Sequence, residues 1–147
     1  MNNQNTQIQL LGHATFKVIT PENKIIIVDP WLIENPFIPK GLDAQDLIDI
    51  MLITHGHEDH FDIHIAGIIQ KTRPKIVANN ICRWHLLEQG IEQQLIEPIN
   101  LGGTIHVHDV SITMVNAFHH AHIYKTDTSV ISPHMANGFV IRMTDGA

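Results

Sequence analysis

The chain has 147 residues, 44% hydrophobic and 16% charged, a balance that supports one folded domain and leaves no room for a second of ordinary size. No apolar run approaches the roughly 20 residues that span a bilayer. The formal net charge of −6 argues against nucleic acid as the main partner. The lone cysteine, Cys82, closes no internal disulfide, and the polar, uncharged start lacks a secretory pattern, so a cytoplasmic location away from membranes is expected. Histidine is the exceptional term: 12 residues of the commonest metal-ligating side chain.

The first third of the chain reads as short strands over residues 8–11, 15–19 and 24–28, rich in β-branched side chains. Thr20-Pro21-Glu22-Asn23 marks a turn between the last two. Ile25-Ile26-Ile27-Val28 is apolar on both faces, as a strand between layers requires, and Asp29-Pro30 ends it. Residues 30–41, with three prolines and Gly41, predict a long ordered loop held down by Trp31 and Phe37. A short helix capped by Asp43 and running through Leu47 and Ile48 is expected next. Ile50-Met51-Leu52-Ile53 then forms a second buried strand.

Further on, Ile63, Ala66, Gly67, Ile69 and Gln70 suggest a helix stopped near Pro74. A strand at 75–78 and a helix from Ile81 to Gln89 closed by Gly90 come after it, with Cys82 a small core residue mid-helix. Strands are expected at roughly 94–99, 104–108 and 110–117, then a histidine-bearing loop over 118–137, then a last strand over 138–143. Strands alternating with helices, followed by clustered strands, indicate an α/β (α+β) layered sandwich formed by residues 1–147 as one domain.

The chemistry is concentrated in Thr54-His55-Gly56-His57-Glu58-Asp59-His60, directly after a buried strand. In extended backbone, side chains at i and i+2 point the same way, so His55 and His57 can reach one ion. Asp59 and His60 follow as the chain turns, which lets them address a second ion beside the first. Imidazole and carboxylate suit zinc, manganese or iron. Two such ions about 3.5–4 Å apart can share a bridging hydroxide and polarise a carbonyl or phosphoryl oxygen. A lone histidine is more often solvated or structural, but four ligand-type side chains in six positions at a strand end are hard to reach by chance.

The run from Thr54 to Asp62 resembles the HxHxDH signature of the metallo-β-lactamase superfamily. Leu11-Gly12-His13-Ala14-Thr15-Phe16 is similar to the opening strand of its branch of metal-dependent hydrolases that includes L-ascorbate-6-phosphate lactonase. Ile27-Val28-Asp29-Pro30-Trp31 resembles the superfamily's first motif, and Leu101-Gly102-Gly103-Thr104 with the stretch from Val110 to His119 resembles the approach to its third. The resemblance implies that His55, His57 and His119 hold a first metal, Zn2+ or alternatively Mn2+ or Fe2+. It implies that Asp59 and His60 contribute to a second, with Asp59 at the catalytic centre and Asp29 bracing the ligand loop. His13 either lines the pocket or is structural. His120, His122 and His134 are expected as exposed loop histidines, and His64, His85, His106 and His108 as structural or solvent-facing.

The superfamily fold is an αββα sandwich of two similar halves, and the resemblance covers its first half. A bridging aspartate and a later histidine of the second site would follow Thr144-Asp145-Gly146-Ala147, which reads as a hairpin turn. The chain is therefore expected to lack the sheet on which its inner face packs and to self-associate as a homo-oligomer. Two functions follow. One is a hydrolase acting on a small-molecule ester, lactone or phosphoester. The alternative is a truncated, catalytically silent chain that binds metal or oligomerises.

Overall fold

The computed structural model describes residues 5–123 and 134–147. Strand β1 (Gln7–Gly12) turns back into β2 (Thr15–Ile19) through the two-residue hairpin His13-Ala14, with His13 in the left-handed region at φ 54°. β2 pairs antiparallel with β3 (Ile25–Val28), which lies parallel to β4 (Ile50–Ile53). β5 (Lys75–Ala78) and the short β6 (Ile96–Glu97) complete a six-stranded sheet in the order β1-β2-β3-β4-β5-β6, the last four strands parallel. Parallel neighbours need crossovers. Helices α1 (Ile65–Thr72) and α2 (Asn80–Glu88) supply two of them.

Side-chain alternation sends the central strands into two cores. Ile27, Met51, Ile53 and Ile76 pack beneath the helices with Ile65, Ile69, Cys82 and Leu86. Ile26, Ile50, Leu52 and Val77 face the other way. They meet a second sheet, the antiparallel meander β7 (Thr104–Val107), β8 (Val110–Ala121) and β9 (His134–Arg142), which contributes Val107, Val110, Ile112 and Met114. The chain is thus layered helices, sheet, sheet. All four residues of β4 are buried, as a strand between two layers must be.

This arrangement corrects the expectation that the inner face of the first sheet goes uncovered: the meander covers it within this chain. The helix expected after Asp43 is also absent, and residues 41–49 run as turns and bends. A helix this short is costly to nucleate by itself, and specific tethers hold this segment in another shape. The Lys17 Nζ donates to Gln45 Oε1 at 2.9 Å, Gln45 Nε2 donates to Leu42 O at 2.7 Å, and Asp49 accepts from Lys24 Nζ and the Ile25 N–H.

The loop over 30–41 is ordered in part by residues other than those expected, though Trp31 is half-buried and packs against His13. Phe37 is largely exposed, whereas Leu32 is buried and Asn35 donates to Trp31 O and accepts from the Phe37 N–H. Gly12 permits the loop's close passage, because a Cβ there would lie 2.7 Å from the Phe37 carbonyl carbon. Finally, the loop expected over 118–137 is shorter. β8 runs on to Ala121 and β9 begins at His134, with residues 124–133 of that stretch outside the described residues. The two strands re-pair, His120 opposite Met135, after a register shift between Asn116 and His120. Asn116, Phe118 and His120 are exposed, so the apolar alternation that signals a strand is lost there while pairing with β9 continues.

Candidate metal centre

β4 delivers the histidine motif at its carboxyl end, where open parallel sheets present their sites. The chain turns tightly at once: His60 and Phe61 both donate backbone N–H groups to His57 O, at 2.9 and 2.7 Å. Phe61, 5% exposed, plugs into the core beneath the helices and anchors the turn. Gly56 is required by close approach, since a Cβ there would lie 2.2 Å from Ile123 Cγ1.

From the meander, His119 reaches the same point. His55 Nε2 lies 3.1 Å from His57 Nδ1, and His119 Nε2 lies 3.3 Å from that same nitrogen. The three donor atoms fall within 4.8 Å of one another. Tetrahedral ligation with metal–nitrogen bonds of 2.0–2.1 Å sets ligand atoms about 3.3 Å apart, so the spacing fits a divalent ion. Register alone would not have found His119: the shift between Asn116 and His120 is what re-aims this end of the strand, as bulges near sites commonly do.

A second group adjoins the first. His13, Asp59 and His60 offer ligand atoms within 4.8 Å of one another. His13 Nε2 lies 2.9 Å from Asp59 Oδ2, and His60 Nε2 lies 3.9 Å from Asp59 Oδ1. His55 and His60 stand with ring centroids 4.1 Å apart, so the two groups share a wall. His13 reaches this position from the β1–β2 hairpin, flanked by Trp31 at 5.6 Å and Phe37 at 6.0 Å.

Asp29 sits behind both groups, 4% exposed and in the left-handed region at φ 48°. Its strained backbone is held by its own N–H donating to Leu52 O and by its carbonyl accepting from Trp31 N–H and Thr15 Oγ1. Its Oδ1 accepts from the Thr54 N–H, and its Oδ2 accepts from Thr54 Oγ1 and from His60 Nδ1, all at 2.8 Å. The consequence is a defined tautomer at two histidines. His60 keeps its proton on Nδ1 and turns a lone pair outward at Nε2. Thr54 spends its one hydroxyl proton on Asp29, so at 2.8 Å its oxygen accepts from His55 Nδ1, leaving His55 Nε2 free to ligate.

For His55 and His57 the electrostatics agree with neutral ligands. Burial, followed by the neighbouring His60, His57 and His119, pushes His55 from 6.5 down to about 3. Burial also lowers His57, helped by His122 and His119. For His60 burial is again the largest influence and acts downward, but the hydrogen bond and charge of Asp29, with Asp59, together raise it. Cys82 lies outside these groups of ligand atoms, and burial lifts its thiol to about 12.

The site opens on a cleft of about 500 Å3 walled by Trp31, Glu34, His57, Glu58, Asp59, Ile63 and His122. His122 is a departure from the expected exposed loop position, since its Nδ1 lies 3.2 Å from His57 Nε2. Of the other loop histidines, His120 is exposed and His134 lies 3.9 Å from Cys82 Sγ. Asp62 was overlooked by sequence reasoning. Fully buried, it accepts from the Leu32, Ile33 and His64 N–H groups at 2.7–2.9 Å, clamping the loop after β3 to the turn before α1. Its place at the end of the histidine motif was the available signal.

Two stacked sheets with helices outside one of them, and a histidine–carboxylate cluster at the strand ends, define a metal-binding α/β domain. The chain belongs to the beta-lactamase superfamily domain family, whose model matches residues 7–146. It is 40% identical to a UPF0173 metal-dependent hydrolase of Rubrobacter xylanophilus over 96% of its length, and 38% identical to one of Koribacter versatilis over 97%. It spans 57% and 59% of those relatives. In fold it is similar to Igni18, a metallo hydrolase of Ignicoccus hospitalis, with a TM-score of 0.72 at 24% identity, covering 94% of this chain and 56% of that one. It is similar too to CmlA, a diiron β-hydroxylase of Streptomyces venezuelae, with a TM-score of 0.66 at 16% identity, covering 97% of this chain and 28% of that one. One fold therefore carries unlike reactions, and function must be argued from the site.

Proposed function

We propose that this chain is a metal-dependent hydrolase domain that cleaves a small-molecule ester, lactone or phosphoester. The convergence of His55 Nε2, His57 Nδ1 and His119 Nε2 at ligand spacing beside an open cleft carries the reading. These three residues hold a first divalent ion, Zn2+ by the preference of imidazole nitrogen, with Mn2+ or Fe2+ as alternatives. Asp59 and His60 face a second position, and His13 borders it. An ion bound there would supply an activated water and Lewis-acid polarisation of a carbonyl or phosphoryl oxygen.

The chain's own residues set the stage for that chemistry. Asp29, through Thr54 and His60, aims two imidazole lone pairs into the site and keeps both rings in one orientation. Asp59, at the cleft wall, is the carboxylate placed to take up a proton beside the scissile bond. Trp31 and Ile63 offer the substrate apolar contact. A reducing, cytoplasmic setting suits the lone buried thiol of Cys82. Among the described residues no helix is long and apolar enough to cross a membrane. Self-association would use the edge strand β1, where Ile8 and Leu10 are exposed.

The test pairs metal analysis with turnover. Purified protein is expected to carry a stoichiometric divalent ion, to hydrolyse lactone or phosphodiester probes, and to lose both properties in His119→Ala. Metal retained without turnover on any ester, lactone or phosphoester probe would replace the hydrolase with a metal-binding role. No metal at all would remove both readings.

A further inference from the structure

His57 is the ligand whose two ring nitrogens meet different partners. Its Nδ1 lies in the first cluster, 3.1 Å from His55 Nε2 and 3.3 Å from His119 Nε2. Its Nε2 faces away, 3.2 Å from Nδ1 of His122, with ring centroids 4.4 Å apart and planes at 64°. His122 stands outside the histidine motif, just past the end of β8. It is held against His57 by its neighbour Ile123, which is 4% exposed and belongs to the core beneath the helices. Ile123 occupies the space that a side chain on Gly56 would fill. The missing Cβ at Gly56 thus lets residues 122 and 123 close on the ligand loop.

The direction of the His57–His122 hydrogen bond decides whether His57 can ligate. A neutral imidazole carries one proton. If His122 donated, the His57 proton would sit on Nδ1, in the middle of the cluster, and that nitrogen would have no lone pair for a metal. If His57 Nε2–H donates to His122 Nδ1, the Nδ1 lone pair is open. We infer that His122 is a positioning residue that accepts the Nε2–H of His57, fixing the ring and tautomer in which Nδ1 binds the metal. His122 does for His57 what Thr54 and Asp29 do for His55 and His60, and it lies on the cleft wall while doing so. The inference rests on the metal centre proposed above.

Two readouts separate this role from the centre itself. In metal-free protein at a pH where the imidazoles are neutral, ring-nitrogen NMR of His57 is expected to show the Nε2–H tautomer, shifting to a mixture in His122→Leu. Zinc affinity from chelator competition is expected to fall about 10–100-fold in His122→Leu, the range for loss of a partner behind a ligand. His122→Gln, whose amide oxygen can accept the same proton, is expected to restore most of it. Wild-type affinity in His122→Leu, or no difference between the Leu and Gln variants, overturns the role of His122 and leaves the centre standing. Failure of the wild type to bind zinc overturns the centre. The NMR reading still decides the tautomer in that case, and an Nδ1–H signal for His57 overturns the inference outright.

Discussion

Asp29 is the residue on which most of the site depends. One buried carboxylate accepts three hydrogen bonds, two from Thr54 and one from His60. Through Thr54 it also orients His55. Asp29→Asn keeps the size but replaces one acceptor oxygen with a donor, which opposes the His60 Nδ1–H. Hydrogen bonds to charged groups contribute about 1.5–3 kcal/mol each, so a loss of ~2–3 kcal/mol in stability is expected by thermal unfolding. Metal affinity should fall about 10–100-fold with it. An Asn variant that binds metal as the wild type does would show that the orientation is set elsewhere. The motif's donor types were legible in sequence at this scale: His55 and His57 fall in one group of ligand atoms, and Asp59 and His60 in the group beside it. The tautomers were not, because they depend on Thr54 and Asp29 being brought together by two parallel strands.

At the scale of elements, the site is assembled where loops are clamped rather than where helices pack. The turn before α1 and the loop after β3 are joined by Asp62, which satisfies the Leu32, Ile33 and His64 N–H groups. Asp62→Ala would strand the buried Leu32 N–H and two part-buried donors, at an expected loss of ~2–4 kcal/mol measured by urea unfolding. It should also widen the cleft, since Trp31 and Glu34 on that loop form part of its wall. A variant as stable as the wild type would mean that the loop is held by Leu32 and Asn35 alone. A second clamp joins the sheets: Asn79 caps α2 through the Ile81 and Cys82 N–H groups and donates to Asn137 Oδ1 on β9. Asn137 in turn donates its backbone N–H to Thr54 O. No periodicity announces such cross-links, because the partners are tens of residues apart.

For the whole molecule, the histidine cluster makes stability depend on pH. The unfolded chain protonates His55 near 6.5, while burial and neighbouring imidazoles hold the folded value at about 3. The unfolded state therefore binds more protons in that window, and the contribution of His55 is lost as pH falls from 6.5 toward 3. His57 is lowered as well and acts in the same direction. His60 is raised by Asp29 against the effect of its burial, so its contribution is present below 6.5 and is lost as pH rises through the folded value. Two groups oppose one. The urea midpoint of metal-free protein is expected to drop across this window, and His55→Gln to flatten part of the slope. Parallel profiles for the variant and the wild type would count against a buried neutral His55.

The periodicity of buried strands, the glycine and proline punctuation and the spacing of the histidine motif are local properties, so the layered α/β class and two of the first centre's three donors, His55 and His57, could be read from the chain. Tertiary structure decided the rest. The segment after Asp43 gave up its helix to tethers from Lys17 and Lys24. β8 continued through exposed residues because β9 paired with it. The meander covered the inner face that the sequence had left open. His122 entered the site because the bare backbone of Gly56 admits Ile123. Each of these outcomes is a contact between distant segments, set by packing and hydrogen-bond satisfaction, which no local pattern records.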